Sequence, residues 1–176
     1  CPALSGELPS LPDNITVVPY GACPDWKTVN RFDCIILPGS MKVDAHLDPP
    51  VLVDLYDPFI LSNLPRTDKS EAVQHQERLI LKHNVQRGDF FVCASDRQRD
   101  FWLGFLAAEG RVNVSQFRDD PQLKKLIDLA PFGVAAHRPS CDDWTFPGTP
   151  NAFKLVWAGS VWDWFDPLTL IHAVHE

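Results

Sequence analysis

The sequence lacks any concentration of positive charge. Its 16 Lys and Arg residues are outnumbered by 23 Asp and Glu residues, which gives a formal net charge of −7 at pH 7. A protein that binds nucleic acid needs a basic surface to neutralise phosphates, so we expect no nucleic-acid partner. The sequence also has no apolar run near the roughly 20 residues that a membrane-spanning helix requires. What remains is a composition typical of a globular domain, with 45% hydrophobic and 22% charged residues.

Metal-binding and disulfide patterns are missing too. The five cysteines are odd in number and form no C-x-x-C pair, and the six histidines share no ligand spacing with them. We therefore expect no metal site and no resident cofactor. Cys34 and Cys93 lie in apolar, strand-like runs, which predicts buried, reduced thiols and a cytoplasmic location.

Residues 89–106 predict a buried strand that leads directly into a helix. Residues 90–94 (FFVCA) are apolar or small without helical periodicity, as in a parallel strand that is apolar on both faces. Ser95 and Gln98 have the S-x-x-Q spacing of a capping box. One apolar stripe follows on the helix, formed by Phe101, Trp102, Phe105 and Leu106. This is half of a βαβ unit, and open α/β sheets bind ligands at the loop after such a strand.

The remaining segments predict an α/β fold, a Rossmann-like parallel sheet with flanking helices. Further strands are expected at residues 15–18, 32–37, 51–55, 126–129 and 153–158. Helices are expected at residues 70–86, 121–125 and 168–175, a short helix or turn is expected at residues 24–30, and residues 110–120 are expected to form a polar connection. The pairs Asp57-Pro58, Asp120-Pro121 and Asp166-Pro167 each match an N-cap followed by proline at the first helical position.

Proline and glycine interrupt the chain after residue 130 and remove all periodicity, which is typical of a linker. We predict a first domain at residues 1–134, a linker at 135–152 and the beginning of a second domain at 153–176. The chain starts without methionine and ends within a predicted helix, so we expect a piece of a longer protein.

Four segments, taken in order, resemble glycosyltransferases of the GT-B fold. They are VLVDLYDP (51–58), DFFVCASDRQRDFWLG (89–104), LIDLAPFGV (126–134) and VWAGSVWDWFDPLTLI (156–171). The similarity is greatest to bacterial enzymes of the retaining, glycogen-synthase-like group, known as glycosyltransferase group 1 or family 4. Enzymes of this family have two Rossmann-like halves that face each other across a cleft. The acceptor binds mainly to the first half and the nucleotide-sugar donor mainly to the second.

The resemblance implies that residues 15–134 are most of the first half and that residue 153 onward begins a truncated second half. The family's opening strand with its Gly-rich loop is missing, as is its E-x7-E donor motif. The loop 159–165 also lacks the Arg or Lys that many relatives place on the diphosphate. We therefore expect this chain alone to lack a complete donor site and to be inactive.

The activity implied is transfer of a hexose from a nucleotide-diphospho-sugar to a polysaccharide, glycolipid or similar acceptor, without an essential metal. The resemblance also implies a cytoplasmic enzyme, with peripheral contact at the inner face of the membrane as one way to reach a lipid-linked acceptor.

Candidate site residues follow the predicted strands. Asp57 is the catalytic candidate, because its carboxylate would bind a sugar hydroxyl or position a substrate at the cleft; the simpler alternative is a helix cap. Ser95 and Arg97 are substrate-binding candidates, because a helix N-terminus attracts phosphate. Their simpler roles are capping for Ser95 and solvent exposure for Arg97.

The second half offers four more substrate-binding candidates. Gly159 and Ser160 follow a predicted strand, where glycine lets the backbone approach a diphosphate closely. Trp162 and Trp164 would stack on a sugar or a base, or would instead pack the seam between domains.

Two other functions fit parts of the sequence. A non-catalytic Rossmann-like module could bind a sugar or a protein through exposed tryptophans. A nicotinamide-dependent oxidoreductase would share the sheet, but the G-x-G-x-x-G fingerprint is absent.

Overall fold

The structure is a computed structural model that describes residues 13–17, 26–43, 46–66, 70–134, 153–159, 161 and 165–175. Its strands are β1 (Ile35–Pro38), β2 (Val51–Asp54), β3 (Phe90–Cys93) and β4 (Ile127–Leu129). Its helices are α1 (Trp26–Val29), α2 (Phe59–Ser62), α3 (Glu71–Arg87), α4 (Asp96–Ala108), α5 (Val114–Asp119) and α6 (Pro167–His175).

The four strands form one all-parallel sheet in the order β1-β2-β3-β4, which confirms the predicted α/β class. One buried row crosses it, in which neighbouring strands pair Leu37, Val53, Phe91 and Ile127. Helices α3 and α4 bury their apolar side chains in the same core, namely Leu81, Val85, Trp102 and Leu106. Burying one such side chain stabilises the fold by about 1.5–3 kcal/mol, so this row and its helices hold the sheet together.

The opposite face of the sheet is less covered. Ile36 on β1 is 68% exposed, and its row partners Leu52 and Phe90 are half-buried. The prediction that the strands are buried on both faces is therefore wrong for this face. Each strand is added on the same side of the one before, so right-handed crossovers place α3 and α4 on a single face.

The connection between β1 and β2 contains no helix in its described residues, 39–43 and 46–50. Instead, side chains of α3 contact the backbone carbonyl oxygens of this connection. Asn84 Nδ2 donates to the carbonyl oxygens of Gly39 and Met41, each at 2.8 Å. His83 Nε2 lies 3.2 Å from the carbonyl oxygen of Val43. The connection therefore lies against α3 in place of a crossover helix of its own.

The prediction of a helix at residues 121–125 is wrong. The Asp120 carboxylate accepts hydrogen bonds from the backbone N–H groups of Gln122 and Lys125, which closes a turn. Leu123 then has φ of 55°, a left-handed conformation that a continuing helix does not allow. The backbone N–H of Lys125 is the main cause that holds the pKa of Asp120 below its usual range.

The helix lies earlier, as α5, where we expected a polar connection. Asn113 is its N-cap, and the Asn113 side chain accepts from the backbone N–H of Gln116 at 3.1 Å. The N-x-x-Q spacing that signals this cap is present in the sequence.

Two predicted strands do not form. Residues 15–17 and 153–158 have no strand structure, and Ile15, Val17 and Phe153 are exposed. An apolar run becomes a strand only when another strand pairs with it, and the described residues supply these two runs with no such neighbour. Cys34, predicted to be buried, is exposed, whereas Cys93 is buried as expected.

Replacing each of two glycines by alanine should change the stability of the protein in opposite directions. A Cβ atom on Gly88 would lie 2.7 Å from Val53 Cγ2 and 2.8 Å from Phe91 Cε1, whereas one on Gly104 meets nothing within 4 Å. We expect Gly88→Ala to destabilise the protein by about 1–3 kcal/mol through overpacking. Gly104→Ala, within α4, should stabilise it by about 0.5–1 kcal/mol through helix propensity. Urea unfolding of both variants measures the changes, and equal effects would contradict this account of Gly88.

Candidate functional site

The polar side chains that follow the strands meet at one edge of the sheet, because the carboxyl ends of parallel strands lie together. We call this the carboxyl edge. It consists of residues 39–41, 54–58, 94–98 and 128–132, which end or directly follow β1, β2, β3 and β4.

A close backbone approach joins the ends of β1 and β2. The Gly39 N–H donates to the Asp54 carbonyl oxygen at 2.8 Å. A Cβ atom on Gly39 would lie 2.9 Å from Leu55 Cδ2 and 3.0 Å from that carbonyl oxygen. A side chain at this position would have to push aside the Leu55 side chain and crowd the Asp54 carbonyl, so glycine favours the close approach of the two strand ends.

Gln98 joins the ends of β2 and β3. Its Oε1 accepts from the Ala94 N–H at 2.7 Å, and its Nε2 donates to the Tyr56 carbonyl oxygen at 2.7 Å. Ser95 is the N-cap of α4, as predicted, and its Oγ accepts from the Gln98 N–H at 3.4 Å. The Gln98 side chain reaches back to Ala94 and also across to the neighbouring strand, a positioning role that the capping-box spacing did not reveal.

Asp57 lies exposed at the end of β2, but it does not cap α2 as one interpretation of its sequence predicted. The N-cap position belongs to Pro58, whose carbonyl accepts from the N–H groups of Leu61 and Ser62, and no side chain caps the helix. The Ser62 hydroxyl donates to Asp57 Oδ1 at 2.9 Å. This bond orients the carboxylate, which is exposed at the carboxyl edge.

The two arginines after Ser95 differ in their surroundings. Arg97 is exposed at the start of α4. Arg99 donates hydrogen bonds to the backbone of β4 and of the turn before it. Its Nε donates to the Ile127 carbonyl oxygen at 3.0 Å, and its Nη2 donates to the Gln122 carbonyl oxygen. Arg97 is therefore the basic side chain that α4 presents at the edge, and Arg99 has a structural role.

Cys93 lies beside this site at the end of β3 but is not suited to act as a nucleophile. Burial is the main cause that raises the pKa of its thiol. A thiol held protonated is a weak nucleophile and a poor metal ligand.

The candidate residues predicted after position 153 are described only in part. Gly159 is exposed, and a Cβ atom there would meet Trp157 at 3.5 Å, so no close approach demands glycine in this structure. Ser160, Trp162 and Trp164 lie outside the described residues. The structure therefore brings together Asp57, Ser95 and Arg97 at one edge.

The predicted cap of α6 is confirmed. Asp166 Oδ1 accepts from the Thr169 N–H at 3.0 Å, and Oδ2 accepts from its hydroxyl. The hydroxyl bond is the main cause that holds the pKa of Asp166 below its usual range.

Within the described ranges, no group of three His, Cys, Asp or Glu side chains is placed to hold a metal ion. None of the helices in that part of the chain combines the length and apolar character needed to cross a membrane. No protein-family model matches the chain, and neither a curated protein nor a solved structure matches it.

Removing the Gln98 side chain tests its positioning role. Gln98→Ala removes the side-chain partner of the Ala94 N–H and of the Tyr56 carbonyl, at a cost of about 0.5–1.5 kcal/mol because water can reach both groups. We expect hydrogen exchange of the Ala94 amide, followed by NMR, to become faster. Gln76→Ala, at an exposed position of α3, is the matched control. Unchanged exchange at Ala94 would show that Gln98 does not hold the two strand ends together.

Proposed function

We propose that this chain is part of a glycosyltransferase of the GT-B type and forms most of its acceptor-side half. One observation carries the proposal: three of the four segments that resemble the family coincide with the elements that build the carboxyl edge. Residues 51–58 contain β2 and Asp57, residues 89–104 contain β3 with the start of α4, and residues 126–134 contain β4. Ligands of open α/β sheets bind outside the carboxyl ends of the strands, which supports a substrate site at this edge.

The charge of the edge favours the acceptor over the donor. Asp54, Asp57, Asp96 and Asp128 lie at or beside the strand ends, and Arg97 is the exposed basic side chain among them. Such a surface repels a diphosphate and suits a neutral ligand rich in hydroxyl groups, because carboxylates only accept hydrogen bonds.

In the proposed mechanism, Asp57 accepts a hydrogen bond from an acceptor hydroxyl and orients its oxygen towards the anomeric carbon of the donor sugar. The bond between that oxygen and the anomeric carbon forms as the bond from the anomeric carbon to the diphosphate breaks, and the hydroxyl proton passes to the departing diphosphate. The Ser62 hydroxyl fixes the Asp57 carboxylate for this task. Ser95 and Arg97, at the start of α4, contact hydroxyl groups of the donor sugar, while the donor diphosphate lies against the second half. The charge on the departing diphosphate is stabilised mainly by groups of the second half, so catalysis is largely electrostatic.

A non-catalytic binding module is the second candidate, and one observation favours it. Large apolar side chains between residues 153 and 175 are exposed, among them Phe153, Val161 and Ile171. An apolar surface of this kind marks a protein contact. In the glycosyltransferase that contact is the rest of the donor half, and in the module it is a separate partner.

Nucleotide binding distinguishes the two candidates. The melting temperature of the longest native form of the protein is measured with UDP, GDP, ADP or dTDP. Separate samples are assayed for release of the nucleoside diphosphate from the matching nucleotide sugar. A nucleotide at 100 times its dissociation constant stabilises the folded state by about 2.7 kcal/mol, enough to raise the melting temperature. A shift and turnover with one nucleotide support the glycosyltransferase. No shift and no release favour the binding module.

The role of Asp57 is tested in the same turnover assay. Asp57→Asn keeps an oxygen for the Ser62 hydroxyl but removes the charge that orients the acceptor hydroxyl, and we expect turnover to fall by about 100-fold. The control is Asp100→Asn, which removes an exposed carboxylate from α4. Equal turnover in the two variants would exclude Asp57 from the mechanism.

A further inference from the structure

Two exposed aromatic side chains meet at the carboxyl edge and have no role in the proposed mechanism. The rings of Tyr56 and Phe132 pack edge to face, with centroids 5.1 Å apart and planes at 80°. Tyr56 is 48% exposed and Phe132 is 73% exposed. Such a pair gains little from burial in the core, so a stability role alone explains it poorly, whereas amphipathic and aromatic side chains are frequent in binding sites.

The contact between the two rings crosses the end of β3, one of the two inner strands. Tyr56 follows β2 and Phe132 follows β4, and both of these strands pair with β3. The two rings thus come together from either side of the point where β3 ends and Ser95 begins α4. This position belongs to the same edge as Asp57, the neighbour of Tyr56 in the chain.

The backbone of Tyr56 is held at both of its polar groups. Its N–H donates to Asp54 Oδ1 at 3.0 Å, and its carbonyl accepts from Gln98 Nε2 at 2.7 Å. A ring on a fixed backbone loses little conformational freedom when a ligand packs on it, which favours binding.

The surroundings of the pair select among ligands that stack on aromatic rings. A nucleotide brings a diphosphate, which the carboxylates of Asp54 and Asp57 repel. A neutral pyranose ring has an apolar C–H face for the aromatic side chains and a rim of hydroxyls that donate to carboxylates. The pair and its neighbours match both parts of such a ring.

We propose that Tyr56 and Phe132 form a platform for a neutral pyranose ring of the acceptor. This proposal rests on the proposed function, because it names the acceptor's chemical class at the same site. It predicts that the sugar unit nearest the reacting hydroxyl is uncharged.

The platform is tested by saturation-transfer NMR on the full chain. The probes are the methyl glycosides of glucose, galactose, mannose and N-acetylglucosamine, together with maltose, and methyl glucuronide is the charged comparison. We expect at least one neutral probe to receive saturation at its C–H face. Its dissociation constant should rise about tenfold in Tyr56→Ala and in Phe132→Ala, a loss of about 1.4 kcal/mol. Tyr56→Phe, which keeps a ring, should bind nearly as well as the unchanged protein.

Phe117→Ala is the matched control, because Phe117 is a 55% exposed phenylalanine on α5. Both platform rings are exposed, so their variants should keep the far-UV circular dichroism of the unchanged protein. The platform is overturned if no neutral probe binds, if Phe117→Ala weakens binding equally, or if methyl glucuronide binds as well as the neutral probes. It is also overturned if the binding of UDP depends on the two rings while the binding of the sugars does not.

The outcome is separable from that of the proposed function. Diphosphate release without sugar binding at Tyr56 and Phe132 would keep the glycosyltransferase and remove the platform. Sugar binding that depends on the two rings, with no nucleotide bound or released, would keep the platform and favour a sugar-binding module over the enzyme.

Discussion

The site depends on how α4 is fixed to β2, a strand that precedes it by about 40 residues of chain. The indole Nε1 of Trp102 donates to the Leu55 carbonyl oxygen at 2.7 Å in fully buried surroundings. A buried carbonyl without a partner costs about 1–3 kcal/mol, so this bond strongly favours one placement of the helix. One turn earlier on α4, Gln98 binds Tyr56, and the two bonds together fix the distance between the ends of β2 and β3. Asp57, Ser95 and Tyr56 occupy their places because a core contact holds the helix beneath them.

Much of this arrangement is local in origin and could therefore be predicted from the sequence. The apolar runs of β2, β3 and β4 and the caps at Ser95 and Asp166 each have a pattern that neighbouring residues carry. The end of β2 also follows from its sequence, which placed Asp57 at the edge. The two strand predictions that failed concern features that need a distant partner, whereas the helix predicted at 121–125 is replaced by a local turn around the Asp120 carboxylate. The run at 153–158 resembles a strand as closely as β3 does, but a strand requires a neighbour to pair with.

The parts of the site that the sequence did not predict are contacts between elements. The meeting of Tyr56 with Phe132, and the reach of Gln98 from one strand end to the next, follow from the order of strands in the sheet. No local pattern encodes that order. The predicted cap at Asp57 is lost for a local reason, since the nearby Ser62 hydroxyl donates to the Asp57 carboxylate. Local patterns thus located the edge, and tertiary contacts determined how its side chains are combined.

The bonds from Asn84 to Gly39 and Met41 have a consequence for the order of folding. They join residues 45 and 43 positions apart, whereas β3 and α4 are adjacent in the chain. Contacts between distant residues form later, because closing a long loop costs entropy before any contact repays it. The pairing of β1 with β2 joins residues much closer in the chain, such as Ile35 and Val51, so it can form before α3 packs on the sheet. A nascent chain would therefore carry the connection between β1 and β2 without its hydrogen bonds to Asn84 until α3 has been synthesised.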